Sequence, residues 1–378
     1  MSAVLIVGAG PVGAVCALAL QQQGVNARVL EAQPADARAD GRTLALSHGS
    51  RLILDRLGAW DRLEDVTPIT RIHISQRGAF GAARLAAEDV GVPALGYVLP
   101  YAALTAALKQ ALADAAIAVD YGVVVERIEP GADMASLHVA DGSVHAAPLV
   151  VVADGGRGEA APKPRFERDY DQMAVVCEVQ TELAHANQAY ERFTPEGPAA
   201  LLPKGERYAL VWTASREDAE RIAQLAEAEF LAALYRHFGG RQGRFLSASP
   251  RKTFPLKLAW TGSEAADRVV RIGNAAQTLH PVAGQGFNIG LRDAWELASL
   301  CGDTPAGEIG SAAMLAAYAR GRRADVLGGV GFTDFLVRVF SNDIAPLRHA
   351  RGLGLLALEV LPPLKRFVAR RMIFGARG

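Results

Sequence analysis

Between Gly273 and Ala294 the chain reads GNAAQTLHPVAGQGFNIGLRDA. Four glycines, a His280-Pro281 pair and a Gln-Gly-Phe-Asn turn run directly into a helical pattern. Glycine at this density marks backbone that must come close to something. The helix behind it offers unpaired N–H groups and a partial positive charge, a setting that stabilises an anion. A second stretch of the same kind opens the chain. Ala3–Val7 is a continuous apolar run, and Gly8-Ala9-Gly10-Pro11-Val12-Gly13 after it matches G-x-G-x-x-G. Gly8 permits a tight turn, Gly10 lets backbone approach a pyrophosphate, and Gly13 lets the following helix sit close to the strand. Glu31 closes the next apolar run, at the distance expected of an acceptor for ribose hydroxyls. Together these predict a dinucleotide site.

The elements that carry these loops follow from pattern. An unbroken apolar run suits a strand buried on both faces of a parallel sheet. Val15, Leu18 and Ala19 follow at helical spacing, Gly24 is placed to stop that helix, and Ala27–Leu30 reads as the next strand. Two further strand–glycine junctions occur, at Pro148–Gly156 (PLVVVADGG) and at Val269–Gly273 (VVRIG). Three such junctions suggest pieces of one sheet converging on one long ligand, and FAD has that length. The 378 residues are half hydrophobic, enough for one large domain or two intergrown ones, and formal net charge is zero, so no overall field recruits nucleic acid. Three scattered cysteines form no CxxC, which fits a reducing, cytoplasmic compartment. Neither a signal-peptide pattern nor a run of 18 apolar residues is present. No metal-ligand spacing is read.

The N-terminal fingerprint, Ala153-Asp154-Gly155, and Gly273-Asn274 with its His-Pro and Gly-Gln-Gly-Phe-Asn sequel resemble the class A flavoprotein monooxygenases, whose type example is para-hydroxybenzoate hydroxylase. GNAAQTLHPVAGQGFNIGLRD, YERFTPEGPAALLP and YALVW are closest to the ubiquinone-biosynthesis hydroxylases, the 2-polyprenyl-6-methoxyphenol hydroxylase group. The resemblance spans nearly the whole chain. It implies an α/β fold: a Rossmann-like FAD-binding domain of the para-hydroxybenzoate hydroxylase type, an inserted β-sheet substrate domain and a C-terminal helical segment. The expected division gives residues 1–70, 97–165 and 266–320 to the FAD-binding domain and 71–96 and 166–265 to the substrate domain. Residues 321–378 form the C-terminal part.

By position, the resemblance assigns Gly8, Gly10, Pro11 and Gly13 to the FAD pyrophosphate and Glu31 to the adenosine ribose. Arg42, Asp154, Asn274, Gly284, Gly286, Phe287 and Asn288 would complete the cofactor contacts. Asn274 stands where most class A relatives have Asp. Gly158 and Ala161 replace the Ser and Arg that commonly follow the Asp-Gly element, and Tyr101 stands where many relatives have Arg or Asn. The helix near Phe287 is expected to bury Phe287, Leu291, Trp295 and Ala298 along one stripe. The implied reaction is NADPH or NADH reduction of FAD, formation of a C4a-hydroperoxide with O2, and transfer of oxygen to a polyprenylated phenol ring. His280 and Pro281 are the catalytic candidates, although a His before Pro equally serves structure. A prenyl-chain reductase and a hydroxylase of another aromatic substrate are the alternatives, and a non-enzymatic flavin-bound subunit is a third.

The substrate domain is expected to hold strands in MAVVCEVQTE, AYERFT, YALVWTAS and RKTFPLKL, with Arg71–Gln76 added and one helix from Glu217 to Phe238. Phe193, Leu202 and Trp212 either line an apolar pocket or fill the core. Beyond Tyr318 the chain reads as helical, broken at Pro362-Pro363. Residues 348–378 carry seven Arg/Lys against Glu359, a net +6. Such a basic amphipathic end either lies on a bilayer, giving peripheral association with the inner membrane or with a biosynthetic complex, or caps the domain with its arginines in water.

Overall fold

The computed structural model describes residues 3–37, 41–78, 80–156, 158, 164–261, 268–278, 285–340 and 345–375, with backbone alone at 285, 326–327, 329–338, 340 and 345. Val4–Val7 (β1), the helix Pro11–Gln22 (α1) and Ala27–Glu31 (β2) form the first unit. They belong to a five-stranded parallel sheet in the order Val269–Arg271, Leu149–Val152, β1, β2, Val119–Tyr121. Every residue of β1 is buried because both faces are covered. Val4 and Ile6 pack into the helical core with α1, while Leu5 and Val7 pack against a three-stranded antiparallel sheet spanning residues 125–147. Alternation is absent from the sequence there for that reason. The helices Tyr101–Asp114 and Gln285–Gly302 both lie against α1.

A second, antiparallel sheet runs Gln277–Thr278, Lys252–Trp260, Phe166–Thr181, Arg207–Ser215, Gly197–Lys204, Gln188–Thr194, Arg71–Gln76, Ala82–Ala86, with Phe245–Ala248 paired to one side. Its single parallel step joins Gln188–Thr194 to Arg71–Gln76. All five stretches expected as strands are in it. The expected Glu217–Phe238 helix is instead two, Arg216–Gln224 and Glu227–Phe238. The break has a local cause: the Glu229 carboxylate accepts from Ala226 N–H at 3.3 Å, starting a new helix, as Ser215 Oγ starts the first by accepting from Asp218 N–H at 3.1 Å. These helices cover the back of the sheet over Leu210, Trp212, Phe230 and Phe238. Trp212 is thus core, whereas Leu202 and Phe193 border a cavity on the other face.

Thr43–Ser47, Gly96–Pro100 and Thr67–Ile69 form a small sheet linking the two halves. Three helices end the chain: Ala312–Phe340, Ala345–Val360 and Pro362–Phe374. The last one returns to the first half. A Cβ on Gly49 would stand 2.6 Å from the Ile373 carbonyl oxygen, and Phe374 meets His48 edge-on at 6.3 Å. Among the described residues no helix is long and apolar enough to cross a membrane.

Candidate active site

The parallel arrangement brings the carboxyl ends of Val269–Arg271, Leu149–Val152 and β1 to one edge, side by side. The three glycine junctions predicted from sequence therefore meet there, and a cavity of about 1550 Å³ opens against them. That exceeds the roughly 300–1,000 Å³ of an ordinary small-molecule pocket. Its other end is walled by the antiparallel sheet and the C-terminal helices.

The glycines of the first loop have separate jobs. Gly8 adopts φ +102°, and a Cβ there would lie 2.8 Å from the Ala153 carbonyl oxygen. A Cβ at Gly13 would overlap the Gly8 carbonyl. Both are required by the protein's own packing. Gly10 is different: its φ is −61°, and a Cβ would meet nothing within 4 Å. Neither backbone nor packing demands glycine there, so the open space beside it, at the N-terminus of α1, tests whether a phosphate-bearing group fits. Pro11 takes the first helical position, no side chain caps the helix and its first turn holds no acid, so its N–H groups are left for a ligand. A dinucleotide fits this cradle.

Glu31 borders the same cavity and already holds its rim in shape. Its carboxylate accepts from Ala9 N–H at 2.6 Å and Gln33 N–H at 2.8 Å. Asp154 likewise turns into its own loop, accepting from Gly156 N–H at 2.8 Å and Gly158 N–H at 3.1 Å. Arg42 lines the cavity with its guanidinium 4.8 Å over the Tyr101 ring. Asn274 is exposed on the wall, in the short turn Gly273–Ala275.

Gly286 and Phe287 present the start of the Gln285–Gly302 helix to the cavity. The expected stripe is only partly buried: Leu291 and Ala298 are fully enclosed, whereas Phe287 and Trp295 are half-buried. Phe287 borders the cavity, and Trp295 lies 5.5 Å under the Arg56 guanidinium. Asn288 borders the cavity yet acts as a clamp. Its Oδ1 accepts from Ser47 N–H at 2.8 Å and Ser50 Oγ at 2.7 Å, and its Nδ2 donates to Ala45 O at 3.1 Å. His280, Pro281, Gly284 and Ala161 lie outside the described residues.

Sequence reasoning missed the device that fixes the third junction. Asp293 is 2 % exposed; its Oδ2 accepts from Gly273 N–H at 3.1 Å and Gln277 Nε2 at 3.3 Å, and its Oδ1 from Arg322 Nε at 2.7 Å. Arg322, 1 % exposed, also pairs with Glu296 at 3.1 Å and Asp325 at 2.9 Å, and Asp325 pairs with Arg292 at 2.9 Å. Gly290 lets the helix approach: a Cβ there would sit 3.1 Å from Gly273 Cα. The signal was a charged Arg292-Asp293 pair inside an otherwise apolar helical stripe. The C-terminal helices were also missed as a cavity wall, to which Leu347, Leu355, Leu358, Met372 and Ile373 contribute.

A parallel α/β sheet with a dinucleotide cradle at its carboxyl edge, roofed by an antiparallel sheet, defines a flavoprotein of the para-hydroxybenzoate hydroxylase type. Residues 1–328 match the family described as an FAD binding domain, and the chain belongs to it. Ubiquinone hydroxylase UbiL of Rhodospirillum rubrum is 35% identical, over 97% of this chain and 88% of that protein. The 3-demethoxyubiquinol 3-hydroxylase of Escherichia coli is 32% identical over 96% of each. Among solved structures, a point variant of Klebsiella pneumoniae HpxO complexed with FAD superposes with a TM-score of 0.75 at 20% identity, over 99% of each chain, which is a likeness of fold. The protein is an FAD-dependent monooxygenase.

Proposed function

We propose that the protein hydroxylates the aromatic ring of a polyprenylated phenol on the route to ubiquinone, with NADPH or NADH as the electron source. The observation that carries this reading is the continuity of one cavity with two chemistries. One end is glycine backbone, an uncapped helix terminus and the Glu31 carboxylate. The other is aliphatic, built from Ile72, Leu85, Leu202, Leu355 and Met372. A ring with a long hydrocarbon tail matches that pairing, and two relatives at 35% and 32% identity carry names of ubiquinone-pathway hydroxylases.

Bound FAD would supply electron transfer from the nicotinamide and activation of O2 for insertion of one oxygen atom. This chain's residues do the holding. Gly8, Gly10, Pro11 and Gly13 leave backbone N–H groups for the pyrophosphate. Glu31 offers its carboxylate to the adenosine ribose while it braces Ala9 and Gln33. Arg42, Asp154 and Asn274 flank the remainder. Gly286, Phe287 and Asn288 bring the start of the Gln285–Gly302 helix to the cavity, where its N–H donors would stabilise negative charge on a bound flavin. Such aimed donors in a dry site are worth about 3–4 kcal/mol. The aliphatic walls exclude water from the reacting centre. His280 and Pro281 stay the catalytic candidates on sequence grounds alone.

The test is aerobic turnover of a short-chain prenylphenol by the FAD-loaded protein. Substrate-dependent NAD(P)H consumption and a product heavier by one oxygen are expected. A product heavier by two hydrogens would make the protein a prenyl-chain reductase, and absence of substrate-dependent oxidation would make it a flavin-bound subunit.

The outer face of the C-terminal helices supports peripheral attachment to the inner membrane. Leu353, Val360 and Phe367 are 59 %, 60 % and 66 % exposed, and Leu361 and Leu364 lie between them beside Arg366 and Arg370. The same helices wall the apolar end of the cavity, so attachment there would bring a bilayer-dissolved substrate to its mouth.

A further inference from the structure

Glu191 sits on the strand Gln188–Thr194, in the roof of the cavity. Side chains alternate along a strand, so Ala189, Glu191 and Phe193 share the cavity face. Arg192 points the other way, with Nε donating to the His237 carbonyl at 2.7 Å and Nη1 to Ser75 Oγ at 3.2 Å. The register sets Ile74 and Ala200 on either side of Glu191, and Val211 lies one strand further on. On this aliphatic sheet face Glu191 is the one ionisable side chain among the described residues that line the cavity. Among those residues its carboxyl has neither a hydrogen bond nor an ion pair. A half-buried, unpartnered carboxyl turned into a cavity with aliphatic walls is left for a ligand to pair with once the cavity fills and water leaves.

We propose that Glu191 receives the ring hydroxyl of the phenolic substrate, accepting its hydrogen bond and, as oxygen is delivered to the ring, its proton. In that step the phenolic O–H bond breaks and its hydrogen becomes the Glu191 carboxyl proton. The electron pair stays on the phenolic oxygen, from which it enriches the ring carbons ortho and para to it. The carboxyl afterwards releases the proton to solvent. Burial pushes the Glu191 carboxyl up to about 8, close to where a general base works best. Arg351 also lines the cavity, with its Nε donating to Leu347 O at 3.1 Å. Behind the sheet lie His73, Tyr190 and Arg192; Glu31, Arg42, Lys109 and Asp154 are in the cofactor half. This inference rests on the hydroxylase reading above.

The test compares wild type with Glu191→Gln and Glu191→Asp, all loaded with FAD. Because the carboxyl is neutral below about 8 and ionised above it, wild-type kcat is expected to rise with pH through that value. Glu191→Gln should lose that limb and fall about 100-fold or more in kcat. Glu191→Asp should keep the limb at an intermediate rate. A second readout needs no turnover: the fluorine NMR shift of 4-fluoro-2-prenylphenol bound without NAD(P)H. It should titrate in wild type with the same midpoint and stay flat in Glu191→Gln. Wild-type hydroxylation with an unchanged rate and pH limb in Glu191→Gln overturns this proposal and leaves the hydroxylase reading intact. Loss of FAD from both variants overturns it as well, since Glu191 would then be scaffold. A wild type that neither binds the fluorophenol nor oxidises NAD(P)H in its presence removes the hydroxylase reading itself.

Discussion

The two ends of the cavity are made of different material. At the cofactor end the wall is main chain: three glycine junctions, an uncapped helix and carboxylates that brace loop N–H groups. At the roof the wall is side chain, displayed by a sheet face and by the three C-terminal helices. A backbone site demands particular residues at particular places, because one methyl group closes it. A side-chain site demands only that aliphatic residues of fitting size face inward. Chemistry common to a cofactor class therefore belongs at the first end, and selection among substrates at the second.

Two substitutions at the cofactor end would break or sharpen that contrast. The larger effect is expected from Asp293→Ala, which leaves Arg322 buried without its shortest partner and frees the Gly273 N–H. Removing one member of a buried ion pair costs about 3–5 kcal/mol. Thermal unfolding should show a large fall in Tm; a Tm near wild type would mean the network is not what holds the third junction. Gly10→Val comes next. A Cβ there meets nothing within 4 Å, so the unfolding midpoint should hardly move while FAD affinity drops at least tenfold, about 1.4 kcal/mol. Calorimetry with unaltered FAD affinity would remove the phosphate from that position.

The same contrast explains what the sequence made readable. The first loop was legible because Gly8 and Gly13 are fixed by backbone packed against them, and Gly10 completes the same fingerprint although nothing in the protein crowds it. Strands of the roof were legible as strands, since alternation is local, but which face met the cavity was not. Trp212 and Leu202 lie in adjacent strands and turn to opposite faces. Glu191 stood in plain view inside AYERFT, and only the assembled sheet shows that it shares its face with Ile74 and Ala200. The break between the helices at Leu225-Ala226 escaped because Ala-rich periodicity runs through it, and periodicity does not show that the Glu229 side chain turns back on Ala226 N–H to start a new helix. Asp293 escaped for a related reason. Its partner Arg322 is 29 residues away on another helix, and nothing local distinguishes a buried charge from a solvated one.

The smallest effect on the folded protein, and the sharpest on the roof's proposed second role, belongs to Phe367. It is 66 % exposed on the outer side of Pro362–Phe374, while Ala369 and Ile373 of that helix are buried. A surface change of this kind alters stability by no more than about 0.5 kcal/mol. Phe367→Asp removes apolar surface and adds a negative charge beside Arg366 and Arg370, so both contributions to a bilayer contact fall together. Co-sedimentation with vesicles containing anionic lipid should weaken, while turnover of a water-soluble short-chain phenol stays as it was. High salt should weaken wild-type sedimentation, because the arginine contribution is screened. If the variant sediments as well as wild type, the exposed apolar face does not touch lipid, and these helices serve the cavity from the inside alone.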